Sequence, residues 1–345
     1  MTNLKVDLYS DTVSRPTPAM RRAIAEAEVG NEQAHEDPTV NRLCAMVAEL
    51  LGKEDAVYLP SGTMCNAIAY RVHCQQGDEV ILDKTGHPLS SESGGPAALA
   101  GVMTRPLDGV RGVFTAEQVR AAVNPPANNH APLSRLLSVE NTVNFGTGKV
   151  WPIEAIRAVT AEAREHDLAT HMDGARLLNA VVASGTSAKE YASHFDSVWI
   201  DFSKGLGCPV GACLAGSKDF IRRAWRFKHQ FGGAMRQAGI IAAAGVYALE
   251  HHVERLAEDH ENAKAFALAV AEIPGIVIDP SEVETNIVFF DTPDRPAPEI
   301  RDALVKKGVR IGATRQHRMR AVFHLDVDAE GGRAAAQTLR EVMAG

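Results

Sequence analysis

A chain of 345 residues, 45% hydrophobic and 23% charged, has the composition of a globular enzyme of about two domains. Its formal net charge of −7 argues against nucleic acid as a partner. No apolar run reaches the roughly 18 residues of a membrane span, and the opening MTNLKVDLYSDTVSRP is too polar for a secretory leader. Its five cysteines lack C-x-x-C or zinc spacing, so we expect no metal site, free thiols and a reducing, cytoplasmic setting.

In chain order, residues 1–15 read as an arm ending at the Arg15-Pro16 turn. Thr17-Pro18 opens a helix to about residue 29, with Thr17 as N-cap and Pro18 at the first position. Asp37-Pro38-Thr39 opens another to Leu51, where Val40, Leu43, Val47 and Leu50-Leu51 recur at helical spacing. Short β-rich runs then alternate with helical stretches: 56–59, 79–82, 136–139, 169–172, 197–200 and 211–215. Such alternation predicts crossover connections and a mainly parallel sheet. Residues 236–272 read as continuous helix. After Pro274-Gly275, strands at 276–278, 286–290, 309–311 and 319–323 and helices at 297–307 and 329–343 form an α+β unit. The expected organisation is a large domain over 16–250 and a small C-terminal domain over 251–345.

Four local patterns carry chemistry. Ser61-Gly62-Thr63, between a strand and a helix, can cradle an anion on helix N–H groups or serve as a plain N-cap. His171-Met172-Asp173-Gly174-Ala175-Arg176 ends a strand, where α/β sheets bind ligands. There Asp173 can hold a cationic ring nitrogen and Arg176 a carboxylate, or the two can pair with each other. Lys204, between Ser203 and Gly205 after a buried strand, can form a Schiff base or be a solvated lysine. Arg236, after Gly232-Gly233, can meet a phosphate or simply be exposed. Together, an anion cradle, a strand-end Asp and a Lys match what a pyridoxal-phosphate enzyme requires. No G-x-x-x-x-G-K-[ST] run supports the rival of nucleotide binding.

SDTVSRP at 10–16, EDPTVN at 36–41, LPSGTMCN at 59–66, ENT at 140–142, HMDGAR at 171–176, SKGLGCPVG at 203–211, GGAMRQAGI at 232–240 and RAVFHLDV at 320–327 span the chain. On these motifs it resembles the threonine aldolase family. The resemblance implies an aspartate-aminotransferase-like α/β fold of type I, with a mainly parallel large-domain sheet and a small α+β domain. It also implies a pyridoxal-5′-phosphate-dependent aldolase that cleaves a β-hydroxy-α-amino acid to glycine and an aldehyde. A β-eliminating lyase on the same scaffold is the alternative, and a non-catalytic cofactor-binding or scaffold protein the rival from another class.

Residue by residue, the resemblance gives Lys204 the cofactor linkage and Asp173 the ring nitrogen. It gives Gly62, Thr63 and Ser203 the phosphate, with Arg236 offered from a neighbouring subunit of a homo-oligomer, a dimer of dimers. Ser10, Arg176 and Arg320 would take the substrate carboxylate. His87 would lie on the ring face, and Glu92 near the site. Relatives often have E-N-T-H-N where this chain has Glu140-Asn141-Thr142-Val143-Asn144, and other residues at Ala34, His35, Ser90 and Ser91. With Val143 unable to take a proton, His35 is the expected replacement base.

Overall fold

Runs such as Glu79–Asp83 and Ser197–Asp201 are buried along their whole length, as strands covered by helices on both faces must be. The computed structural model describes residues 4–345; positions 1–3 of the expected arm lie outside them. Its strands are β1 (Val6–Leu8), β2 (Asp55–Leu59), β3 (Glu79–Asp83), β4 (Met103–Leu107), β5 (Ser134–Glu140), β6 (Ala169–Gly174), β7 (Ser197–Asp201), β8 (Ala212–Gly216), β9 (Ile287–Asp291), β10 (Val309–Arg315) and β11 (Arg318–Val322). A seven-stranded sheet runs β2-β8-β7-β6-β5-β3-β4, and β8 alone is antiparallel to its neighbours. The carboxyl ends of β2, β3, β5, β6 and β7 therefore share one edge, which positions the site. A four-stranded sheet, β1-β10-β11-β9, packs with Phe266, Phe290, Phe323 and Leu339 in a second core.

Local chemistry sets the helix starts. Thr17 accepts the Met20 N–H at 3.2 Å, and Asp37 accepts that of Val40 at 3.0 Å. The helix Pro38–Leu51 buries Val40, Leu43, Val47 and Leu51 against the large core. Asp37 also accepts N–H groups of Gly30 and Gly239, at 3.1 and 2.9 Å, and so ties three segments together.

Two expectations are corrected, and two features are added. The continuous helix over 236–272 is two helices, Gly239–His251 and Leu256–Ala271. At the break His252 is buried, and its Nδ1 donates to the Leu206 carbonyl at 2.7 Å. The strand expected at 276–278 is a single bridge between Val277 and Asp291. Met103–Leu107 is a strand despite Pro106, because β4 is a sheet edge, where a missing N–H costs no ladder bond. The arm, finally, pairs in parallel with β10 through β1.

A buried ion pair fixes the loop before the second long helix. Lys228 and Glu32 are almost wholly inaccessible, with Nζ 2.8 Å from Oε2. Glu32 also accepts the Met235 N–H at 2.5 Å, and its own N–H donates to the Arg236 carbonyl at 3.0 Å. Removing one partner of such a pair leaves an uncompensated charge. Glu32→Ala should therefore cost about 3–5 kcal/mol in urea unfolding. The double variant Glu32→Leu with Lys228→Met should lose less than Glu32→Ala, since it buries no lone charge.

Candidate active site

At the shared strand edge lies a cavity of about 400 Å³. The helix Gly62–His73 begins there, after β2. Ser61 caps it by accepting the Met64 N–H at 3.2 Å, and the first-turn N–H groups of Gly62 and Thr63 keep no helical partner. A Cβ on Gly62 would lie 2.2 Å from the Trp199 ring, so only glycine lets this helix start seat against the indole. Beyond β7, Lys204 reaches the cavity. Its Nζ is 3.0 Å from Asp201 Oδ2 and 5.7 Å from the Trp199 ring centre. Asp201 also accepts the Ser203 N–H and hydroxyl, at 2.7 and 2.8 Å.

Asp173, at the end of β6, accepts the Ala175 N–H at 3.1 Å and an Asn66 amide hydrogen at 2.8 Å. The second Asn66 N–H goes to Glu92 Oε1 at 2.8 Å, which also takes His87 Nδ1 at 2.8 Å. The hydrogen bond to Glu92, opposed by burial and helped by Asp173, raises the His87 pKa above its ordinary value. Glu140, half-buried at the end of β5, stands opposite Asp173 in the strand register. It accepts backbone N–H bonds from His87 at 2.8 Å and Asn144 at 2.7 Å. Burial first, and then the Asp173 charge, push its pKa up to about 7.

Two arginines reach the same cavity. Arg176 is buried, and its Nε and Nη2 each lie 2.7 Å from Asp11 in a bidentate pair. The fork expected to hold a substrate carboxylate is thus occupied by Asp11, and its Nη1 remains. Asp11 is fully buried and also accepts Asn286 Nδ2 at 3.2 Å. Burial alone would raise its pKa, but the Arg176 charge and hydrogen bonds outweigh that and hold it well below the carboxylate range. Arg320 reaches in from β11. It donates to Asn144 Oδ1 at 3.0 Å, and its buried Nε has no partner among the described residues. Burial, then the nearby Arg176 charge, lower its pKa. Ser10 lines the wall and accepts the Thr12 hydroxyl at 2.9 Å.

The structure thus brings together Ser10, Gly62, Thr63, His87, Asp173, Arg176, Ser203, Lys204 and Arg320. It does not bring His35. That side chain is exposed on a left-handed turn, edge-on to Trp225 with ring centres 5.0 Å apart, in a separate groove. The Glu32–Lys228 pair holds its loop there, so within one chain His35 is not the expected base. Arg236 is exposed and also lies off this wall. Val143 is buried, and its Cγ1 fills the space where a Cβ on Gly112 would sit, so it is a core residue. Sequence reasoning left Asp11, Asn66, Glu140 and Trp199 without roles. Asp11, Asn66 and Glu140 carried a signal, by falling inside quoted motifs; Trp199 carried none.

A family model for β-eliminating lyases matches residues 7–293. The chain is 42% identical over 326 residues to the low specificity L-threonine aldolase of Escherichia coli (strain K12), covering 94% of this chain and 95% of that one. It is 38% identical over 330 residues to low-specificity L-threonine aldolase 1 of Arabidopsis thaliana, covering 94% and 92%. The solved threonine aldolase of Leishmania major superposes with a TM-score of 0.83 over 98% of this chain and 99% of that one, at 19% identity, so it shares the fold.

The Asp11–Arg176 pair makes a pH-dependent contribution to stability. A carboxylate held low when folded stabilises above its unfolded pKa of about 4 and loses that contribution as pH falls through the folded value. Thermal unfolding should therefore show Asp11→Ala less stable by about 3–5 kcal/mol near neutral pH. The gap to the parent should narrow as the medium is acidified below about pH 4.

Proposed function

We propose a function for this chain from one established premise, that it belongs to the β-eliminating lyase family. It is a pyridoxal-5′-phosphate-dependent lyase that cleaves the Cα–Cβ bond of a β-hydroxy-α-amino acid such as threonine, giving glycine and an aldehyde. The carrying observation is the donor set around one cavity: a glycine-started helix N-terminus, a strand-end carboxylate and a lysine amine. These residues fit the cofactor. The free N–H groups of Gly62 and Thr63 with Ser203 suit a phosphate, Asp173 suits a protonated ring nitrogen, and Lys204 suits an imine linkage. When bound, the cofactor supplies an electron sink for the pair released at the α-carbon.

The chain's own residues do the rest. Arg320, with a buried donor lacking a partner, and the remaining Nη1 of Arg176 offer a carboxylate-binding corner. Ser10 adds a hydroxyl to that wall. Anchoring the carboxylate there sets which α-carbon bond stands across the ring, the orientational part of catalysis. His87, held by Glu92, presents an imidazole to the cavity as the ring-face residue. The site holds its anions on fixed backbone N–H bonds and neighbouring cations, so little reorganisation accompanies charge development. A β-elimination would need a leaving group at Cβ rather than a hydroxyl proton acceptor. The threonine aldolase names of relatives 42% and 38% identical favour the retro-aldol reading.

We place the enzyme in the cytoplasm, supported by five free cysteines. We read the assembly as a homo-oligomer, a dimer of dimers, in which Arg236 serves a neighbour's phosphate. Its exposed position off its own cavity supports this. We also keep the division into a large domain over 16–250 and a small one over 251–345, supported by two separate cores.

The test is a product assay over a panel of β-hydroxy amino acids that scores aldehyde, keto acid and ammonia separately. Aldehyde with glycine is expected; ammonia with a keto acid would replace the aldolase reading with β-elimination. Lys204→Ala should abolish turnover, and borohydride reduction of the parent should label Lys204. Arg236→Ala should weaken cofactor retention on dialysis roughly 10- to 100-fold, the range of a lost charge-assisted contact.

A further inference from the structure

Charges around the cavity are nearly all matched. Asp11 pairs with Arg176, Asp201 with Lys204, and Glu92 with His87. Asp173 is committed to Asn66, to the Ala175 N–H and, by the reading above, to the ring nitrogen. Among the described residues, Glu140 lines this wall with no ion-pair partner; backbone N–H groups alone hold it. Each carboxylate oxygen accepts one of these bonds and keeps a second lone pair. Val143, three residues on, is buried in the core and carries no proton acceptor. His87 has Nδ1 committed to Glu92 and, by the reading above, lies on the ring face.

Building on the aldolase reading, we infer that Glu140 is the group in this chain that takes the proton from the substrate's β-hydroxyl. The proton leaves the β-oxygen for the Glu140 carboxylate. The Cα–Cβ bond breaks with its electron pair staying on the α-carbon side, and the C–O bond becomes the aldehyde carbonyl. A proton returned to Cα gives glycine, so no oxidant or reductant enters.

The charged groups around Glu140 are Asp173 on the adjoining strand, His87 beyond β3 and Arg176 beyond β6. Burial and Asp173 raise its pKa, against the backbone N–H bonds and His87. A value of about 7 suits a base working near neutrality. The ionised form is the active one, so activity rises as pH climbs through that value.

The experiment compares the parent holoenzyme with E140Q and E140D, on the substrate that releases most aldehyde. E140Q should lose about 100- to 10,000-fold in kcat for aldehyde release. It should keep the visible absorbance of bound cofactor and near-parental affinity for glycine, read by absorbance titration. The parent's rise of kcat with pH near 7 should vanish in E140Q and persist, at lower rate, in E140D. Infrared difference titration of the apoenzyme should show a carboxyl band that is lost in E140Q. A role limited to holding the His87 and Asn144 backbones would instead disturb glycine affinity and leave the pH limb in place, and that result overturns the assignment. So does E140Q turning over at the parent rate. If E140Q fails to bind glycine, E140D decides by keeping or losing the limb. A parent that releases no aldehyde from any substrate overturns the aldolase reading itself, and this assignment with it.

Discussion

Trp199 Nε1 can only donate, so the oxygen of Asn66 must face it, 2.8 Å away. That fixes the orientation of the Asn66 amide. Its two N–H bonds then point at Asp173 and Glu92, so one neutral donor serves both carboxyl groups. His171 Nε2, 3.2 Å from the same Asn66 oxygen, must donate as well, which leaves its Nδ1 to accept from the Ser197 hydroxyl at 2.8 Å. Ser197 in turn accepts from His73 Nε2 at 2.8 Å. Burial lowers the pKa of both histidines, that of His73 to about 4, so this path is neutral. One indole thus decides the donor and acceptor sense of a network from the sheet interior to the cavity. The glycine at 62 is part of the same constraint, because the indole occupies the space a side chain would need.

A second clamp joins parts of the chain far apart in sequence. Asp11 receives Arg176 from beyond β6 and Asn286 from just before β9, and the Asn286 amide also donates to the Phe323 carbonyl at 2.9 Å. The N-terminal segment is therefore a bridge between the two sheets, with β1 in one and Asp11 against the other. Arg320 enters from the smaller sheet and Arg176 from the larger, so this corner of the cavity exists only where the two meet.

Much of this was legible because its signals are local. Thr17 as a cap, the helix opening at Asp37-Pro38, the β runs, Gly62 after a strand, and Asp173 and Lys204 at strand ends all depend on neighbours within a few residues. What was not legible is non-local. β1 has three residues and pairs with a strand three hundred positions away. Pro106 reads as a strand breaker unless the edge position is known. The helix break at 252 is fixed by the Leu206 carbonyl, which no periodicity reveals. Asn66 and Trp199 carry ordinary side chains whose roles come from each other. His35 misled because its loop looks like a pocket loop in sequence, while its position is set by the buried Glu32–Lys228 pair.

Val143 is best understood through packing. Gly112, at φ +82°, and Gly146 leave room that the Val143 side chain fills, and the residue is almost fully buried. A charged imidazole placed in that space would need partners the apolar surroundings do not offer. Glu140, three residues earlier, is instead at the strand end, with two N–H donors to stabilise its anion and an open cavity before it. Burial, and then Asp173 beside it, work the other way, keeping the proton affinity of Glu140 well above that of a solvated carboxylate. The two backbone donors lower the proton affinity of Glu140, while burial and Asp173 raise it. The balance of the two lets one carboxylate both accept and release a proton near neutral pH.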